Sequence, residues 1–252
     1  SNWFTPTNTD IPVERWKQAI SPASGCLIVP GADAALCLAQ NKTVKQMNNT
    51  IESMRGWAVS AFSRGADAVY IFNNFMIPYQ TQTVHPEGKV TYSSERQAAL
   101  RELGSLATAL GKPRTHVLTF TAPDLTKEPA APRPLPPGAA QTFDLHIGPR
   151  PDGGHSTVHV SLDAAPGLAD AQLTVTVNGA ACRPLGDLPR DPRYKYDNTK
   201  IWHVVKGVAE TGARVLAFDV PTSALQDGYN KVAITHGKST PLAMTWLELH
   251  LT

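Results

Sequence analysis

The sequence predicts an α/β segment followed by an all-β segment, and three observations carry that division. Up to about residue 120, apolar residues recur at helical spacing between short apolar strands; beyond about residue 141, they alternate with polar ones. Between the two lies a proline-dense stretch, Thr121-Ala-Pro-Asp-Leu-Thr-Lys-Glu-Pro-Ala-Ala-Pro-Arg-Pro-Leu-Pro-Pro137-Gly. The expected organisation is a partial (β/α)8-barrel segment over residues 1–120, a linker over 121–140 and an antiparallel β-sandwich or jelly roll over 141–252.

Two strand-then-helix units make the α/β part. The first reads Cys26-Leu-Ile-Val-Pro-Gly-Ala-Asp33 and then an amphipathic helix. Thr43 is its expected N-cap, and Val44, Met47, Ile51, Met54, Ala58, Ala61 and Phe62 follow at spacings of three and four. Gly65 stands at the usual stop position. The second unit reads Ala66-Asp-Ala-Val-Tyr-Ile-Phe-Asn73-Asn74, with a strand over Val69–Phe72, a long loop over Pro78–Ser93, and a helix capped by Ser94 and ended by Gly111. A shorter helix is expected from Ile11 to Ile20, and an extended piece over Val117–Phe120. A whole barrel takes about 250 residues, so two units look like the last quarter of one.

The five prolines after Thr126 make a semi-rigid extended linker and forbid a helix or a central strand. Beyond it, Phe143–Ile147 opens a run of short strands. Val158, Val160 and Leu162 alternate with His159 and Ser161; Leu173, Val175 and Val177 alternate with threonines before Asn178-Gly179, a two-residue hairpin signal. Ile201–Val205, Val215–Val220, Tyr229–Thr235 and Met244–Leu251 complete the pattern of an antiparallel sandwich.

Composition bounds the function. With 252 residues, 42% hydrophobic and 17% charged, the chain can bury a sizeable core. The net charge of +2 comes without a lysine-rich stripe or aromatic-basic interleaving, so nucleic acid is not an expected partner. No apolar run reaches the length of a membrane span. Cys26, Cys37 and Cys182 form neither a disulfide framework nor a CxxC site and are read as buried free thiols. The chain opens Ser1-Asn2, as a processed or recombinant product does; the compartment stays open, with a secreted or periplasmic setting slightly favoured.

The segment Thr50-Ile-Glu-Ser-Met-Arg-Gly-Trp-Ala-Val-Ser-Ala-Phe-Ser-Arg-Gly-Ala-Asp-Ala-Val-Tyr-Ile-Phe-Asn73 resembles the end of a bacterial glycoside-hydrolase-like barrel, where an Arg-Gly pair and a "GADG(I/V)Y-x-FN" strand recur. Leu100–Lys112 resembles the eighth helix of the same proteins. Leu225-Gln-Asp-Gly228-Tyr-Asn230-Lys-Val232 is similar to the "L-x-x-G-x-N-x-V" turn of galactose-binding-like sandwiches, which often follow such barrels. The resemblance implies that Cys26–Pro30 is the seventh barrel strand and Val69–Phe72 the eighth, and it implies a carbohydrate ligand. Many retaining barrel glycosidases carry a nucleophilic glutamate at the end of strand seven and an acid/base glutamate after strand four. Here the carboxylate is Asp33, displaced past Pro30-Gly31, and no strand four is present.

Glycoside hydrolysis needs two carboxyl groups across the sugar, and Asp33 is the one acid here placed to be catalytic; the alternative is that it binds backbone amides or caps a following helical turn. Asn73, Asn74 and Tyr79 follow the eighth strand, where amides can bond sugar hydroxyls and tyrosine can stack on a ring; the alternative for the asparagines is loop-internal bonding. In the sandwich, Tyr194 and Trp202 sit in the densest aromatic and charged stretch, a carbohydrate platform or a docked loop. His146, His155, His159, His203, His236 and His250 show no metal-ligand spacing, and no cofactor fingerprint is present, so neither metal nor cofactor is expected. His159 and His250 fall on outward phases of their strands. Alone, the chain is expected to be inactive. The competing class is a non-catalytic carbohydrate- or protein-binding scaffold, and unpaired strand edges also invite self-association or pairing with a missing barrel portion.

Overall fold

A computed structural model describes residues 11–33, 35–40, 43–48, 50–72, 82–84, 90–92, 98, 100–119, 133–188, 214–237 and 240–252. The elements in chain order are α1 (Val13–Ala19), β1 (Gly31–Asp33), β2 (Ala35–Gln40), β3 (Thr43–Asn48), α2 (Ile51–Ser63), β4 (Tyr70–Phe72), β5 (Gln82–Val84), β6 (Val90–Tyr92), α3 (Leu106–Ala109), β7 (Arg114–Thr119) and β8 (Arg133–Leu135). They continue with β9 (Ala140–His146), β10 (Ser156–Leu162), β11 (Leu173–Val177), β12 (Ala180–Ala181), β13 (Arg183–Asp187), β14 (Arg214–Asp219), β15 (Tyr229–His236) and β16 (Leu242–Leu251).

Most of the sheet is antiparallel. One sheet runs β13-β14-β10-β16-β7, with β8 beside β16; the other runs β12-β11-β15-β9. Their inward residues form one core, with Val158, Val160, Leu247 and Leu249 from the first sheet meeting Val175 and Val232 from the second. The alternation that predicted these strands is the alternation of burial, as in β15, where every second residue is buried. The turn Asn178-Gly179 joins β11 to β12 with both residues at positive φ, +50° and +85°, as a two-residue hairpin requires. Of the predicted strands, Ile201–Val205 lies outside the described residues.

The expected barrel segment is corrected in several places. A partial (β/α)8 barrel is not shown by the described residues; what they contain is one parallel pair, β1 with β4, in the register Gly31–Tyr70, Ala32–Ile71 and Asp33–Phe72, with α2 between the two strands in the chain. The ladder begins after Pro30 rather than at Cys26. Over residues 26–30 the chain is held by single bonds from Asp67 N to Ile28 O at 2.9 Å and from Tyr70 N to Pro30 O at 3.0 Å. Ile28 is buried while Leu27 and Val29 are exposed, so this stretch covers the core on one face only. Cys26 is accordingly exposed, not buried, whereas Cys182 is buried and its thiol is pushed up to about 11 by burial.

The long helix expected from Thr43 starts at Thr50 instead, whose Oγ1 accepts from the Ser53 N–H at 3.1 Å. The residues before it form a hairpin, β2 pairing with β3 from Ala35–Asn48 to Gln40–Thr43. In the stretch expected as one loop, Pro78–Ser93, β5 and β6 pair as a second hairpin. The helix expected to run to Gly111 is interrupted by a turn at Leu103-Gly104, after which Ser105 caps α3 in a capping box with Thr108.

The segment before the proline-rich stretch is part of the sandwich sheet. β7 pairs antiparallel with β16 from Thr119–Trp246 to Arg114–Leu251. β8, within the proline-rich stretch, pairs with Leu242–Met244 on the same side of β16. Pro134 sits there on an edge, the position a strand proline tolerates. α2 packs on the backbone of β7, and Met54, Trp57 and Ala58 form a second small core with Ala32 and Leu103.

Candidate functional site

The parallel pair ends at Asp33 opposite Phe72, and Asn73 is next in the chain. The C-terminal end of parallel strands is where barrel enzymes place their chemistry. The opposite end is anchored by Asp67, which accepts from the Ile28 N–H at 2.8 Å and from Lys17 Nζ at 2.7 Å. The Ile28 amide, then the Lys17 ammonium, hold its carboxyl below the usual range. Asn73, Asn74, Tyr79, Tyr194 and Trp202 lie outside the described residues, and of Asp33 only the backbone is described.

A second polar group lies where α1 and α2 meet the sandwich. The Arg64 guanidinium binds Glu14 with both arms, Nε to Oε1 at 2.5 Å and Nη2 to Oε2 at 2.6 Å. It also stands 5.9 Å from the centroid of the Tyr229 ring, whose edge meets His146 at 4.8 Å between centroids. Partial burial works to raise the Glu14 carboxyl, but the bonds from Arg64 outweigh it and hold it low. Burial, reinforced by the Arg64 charge, lowers His146 to about 4. Burial and then the charge of Arg114 hold His116 well below its ordinary value. His146 Nδ1 accepts from the Gly148 N–H at 3.3 Å and lies 3.4 Å from Ser60 Oγ. Ser60 is buried, and this hydroxyl–imidazole pair joins α2 to β9. A small cavity beside it is lined by Val13, Pro30, Trp57, Arg64 and His116.

The third group was expected as separate surface histidines. His159 on β10 pairs directly with Glu248 on β16, and His250 is two residues along β16, so the three share the outward face of one sheet. Glu248 Oε2 is 2.9 Å from His250 Nε2 and 3.9 Å from His159 Nδ1. The two imidazoles lie 3.9 Å apart between centroids, tilted by 37°. Among the described residues this is the group of three side chains whose donor atoms could surround a metal ion. The sequence signal was Glu-x-His on one strand face. Its third member could be found only once the pairing of β10 with β16 was known.

No protein-family model matches the chain, and no curated protein matches it. Among solved structures it is similar to BuGH86 in complex with neoagarooctaose, at 13% identity and a TM-score of 0.34, over 55% of this chain and 19% of that one. It is also similar to BpGH86A, a β-porphyranase of glycoside hydrolase family 86 from the human gut bacterium Bacteroides plebeius, at 15% identity and a TM-score of 0.29, over 65% of this chain and 23% of that one. The chain thus spans about a fifth of the length of the solved structures it matches.

Proposed function

We propose that this chain is the C-terminal part of a glycoside hydrolase acting on carbohydrate, with the sandwich as its structural or glycan-binding accessory domain. One observation carries the reading: a strand, a helix and a second, parallel strand end in register at Asp33 and Phe72, and the helix is seated on the sandwich. That is the repeating unit of a (β/α)8 barrel. The remaining strands of the barrel come, in this reading, from a longer parent protein. In this reading Asp33 supplies one carboxylate, Asn73, Asn74 and Tyr79 line the sugar cleft, and Tyr194 and Trp202 offer aromatic platforms on the sandwich.

A second carboxyl group would come from the missing strands, since retention and inversion both need a pair. The purified chain should therefore turn over no aryl glycoside or polysaccharide. Assembly with the upstream part of the parent protein should restore turnover, and Asp33→Asn should abolish it. Hydrolysis by the 252-residue chain on its own, lost in Asp33→Asn, would contradict the reading.

The self-contained core between the two large sheets favours a second reading, a non-catalytic binding scaffold. Glycan binding that survives removal of residues 1–112, which spares β7, and falls in Tyr194→Ala or Trp202→Ala would select it.

A further inference from the structure

We infer that His159, Glu248 and His250 form a binding site for a divalent first-row transition cation, Zn2+ above all, on the outward face of the six-stranded sheet. The donor set is two imidazoles and one carboxylate, the combination that suits such cations. The register of β10 against β16 fixes His159 opposite Glu248, so the set is held by two paired strands rather than by a loop.

The orientation of the donors is already that of a chelate. His159 turns Nδ1 and His250 turns Nε2 toward one oxygen, Glu248 Oε2, and all three donor atoms lie within 4.8 Å of one another. Bonds of about 2.0–2.2 Å to a tetrahedral Zn2+ place ligand atoms roughly 3.3 Å apart. Bringing the present atoms to that spacing needs shifts of about 1 Å or less in each side chain, within reach of small rotations about the terminal bonds.

Each ring is oriented from behind. His159 Nε2 lies 3.2 Å from Thr157 Oγ1, and His250 Nδ1 lies 3.0 Å from Thr115 Oγ1. A hydrogen-bond partner on the far nitrogen is the usual support of a metal-bound histidine, because it sets the tautomer and the ring plane. The Glu248 side chain is 2% exposed, and a carboxylate taken out of water is stabilised by positive charge beside it. The His159 and His250 side chains keep 18% and 27% exposure, so an ion in solution can reach their ring nitrogens.

The test uses the full chain, stripped with a chelator and desalted, titrated with Zn2+ by calorimetry and with Co2+ by visible absorption. The expected result is one equivalent of either ion, with the d–d bands of Co2+ held by nitrogen and oxygen donors. His250→Gln should lose this binding while circular dichroism keeps the β-sheet signal. Glu248→Gln should do the same, and because that group is buried its thermal unfolding is measured in parallel. Thr115→Val, which removes a supporting hydroxyl and no ligand, should weaken binding about 10–100-fold. Absence of uptake by the folded chain overturns the site and leaves a metal-free imidazole–carboxylate cluster. So does one equivalent bound equally well by the His159→Gln/His250→Gln double variant. Either result is independent of whether the chain belongs to a glycoside hydrolase.

Discussion

Gly56 of α2 lies so close to Thr115 of β7 that a Cβ on Gly56 would overlap the Thr115 carbonyl and stand 3.2 Å from the His116 nitrogen. A glycine inside a helix ordinarily costs about 1 kcal/mol relative to alanine. Here that cost permits backbone-to-backbone approach of helix and sheet. Gly56→Ala should therefore destabilise the chain by about 1–3 kcal/mol through overpacking against an atom that cannot rotate away. Urea unfolding would detect it, and a gain in stability would show that the contact relaxes freely.

Glu14 and Arg64 tie α1 to the end of α2 beside the sandwich. The Arg64 side chain is 5% exposed, while that of Glu14 is 37% exposed. Glu14→Gln keeps one acceptor but removes the Glu14 charge from beside the guanidinium, and should cost about 1–2 kcal/mol. The loss should be larger than for Lys17→Gln, whose bond to Asp67 is exposed and screened by solvent. Paired denaturation curves compare them.

His146 and His116 make stability depend on pH. Both have values in the folded chain below the unfolded value of about 6.5, so the unfolded chain binds more protons once the pH drops below that. Stability is complete above about pH 6.5 and is lost as the pH falls toward about 4, at up to about 1.4 kcal/mol per pH unit for each histidine. His146→Gln should remove about one proton from that slope. Calorimetric melting at a series of pH values reads it directly; an unchanged slope would show that His146 does not titrate across this window.

Asn230 is fully buried and uses all its bonding capacity. Its Oδ1 accepts from Asn178 Nδ2 at 2.8 Å and from the Gln226 N–H at 3.0 Å, while its Nδ2 donates to the Gln226 and Gly228 carbonyls at 2.8 and 3.1 Å. Asn230→Ala should cost about 2–4 kcal/mol by stranding several buried partners. Asn230→Asp, nearly the same shape, should be at least as damaging, because a carboxylate oxygen would then face two carbonyls. Midpoints of thermal unfolding for the two variants would check the order.

The sandwich was legible because its strands are half-buried and their period of two is a direct record of that burial. Asn178-Gly179 marked a turn by chemistry alone, whereas the Gly-x-Asn setting of Asn230 carried only a resemblance to a turn and not the network just described. The front part misled where two periods overlap. Val44 and Met47 sit three apart, as on a helix, yet Leu36–Met47 and Ala39–Val44 are cross-strand pairs of a hairpin. Thr50 caps α2 as well as Thr43 could have, and nothing local separates the two. β7 was read as a tail into the linker because its partner, β16, lies at the other end of the chain, and strand pairing at such range leaves no mark in spacing. For the same reason His159 and Glu248 could not be joined on paper.

β16 is the shared neighbour of β10, β7 and β8. Until Leu242–Leu251 has been synthesised, those three strands have no middle to close around. At ribosomal speeds of about 5–20 residues per second, β7 waits on the order of ten seconds with its pairing groups open. Nascent chains stalled before residue 242 should thus be the species that chaperones hold and that clump together when expression outruns them.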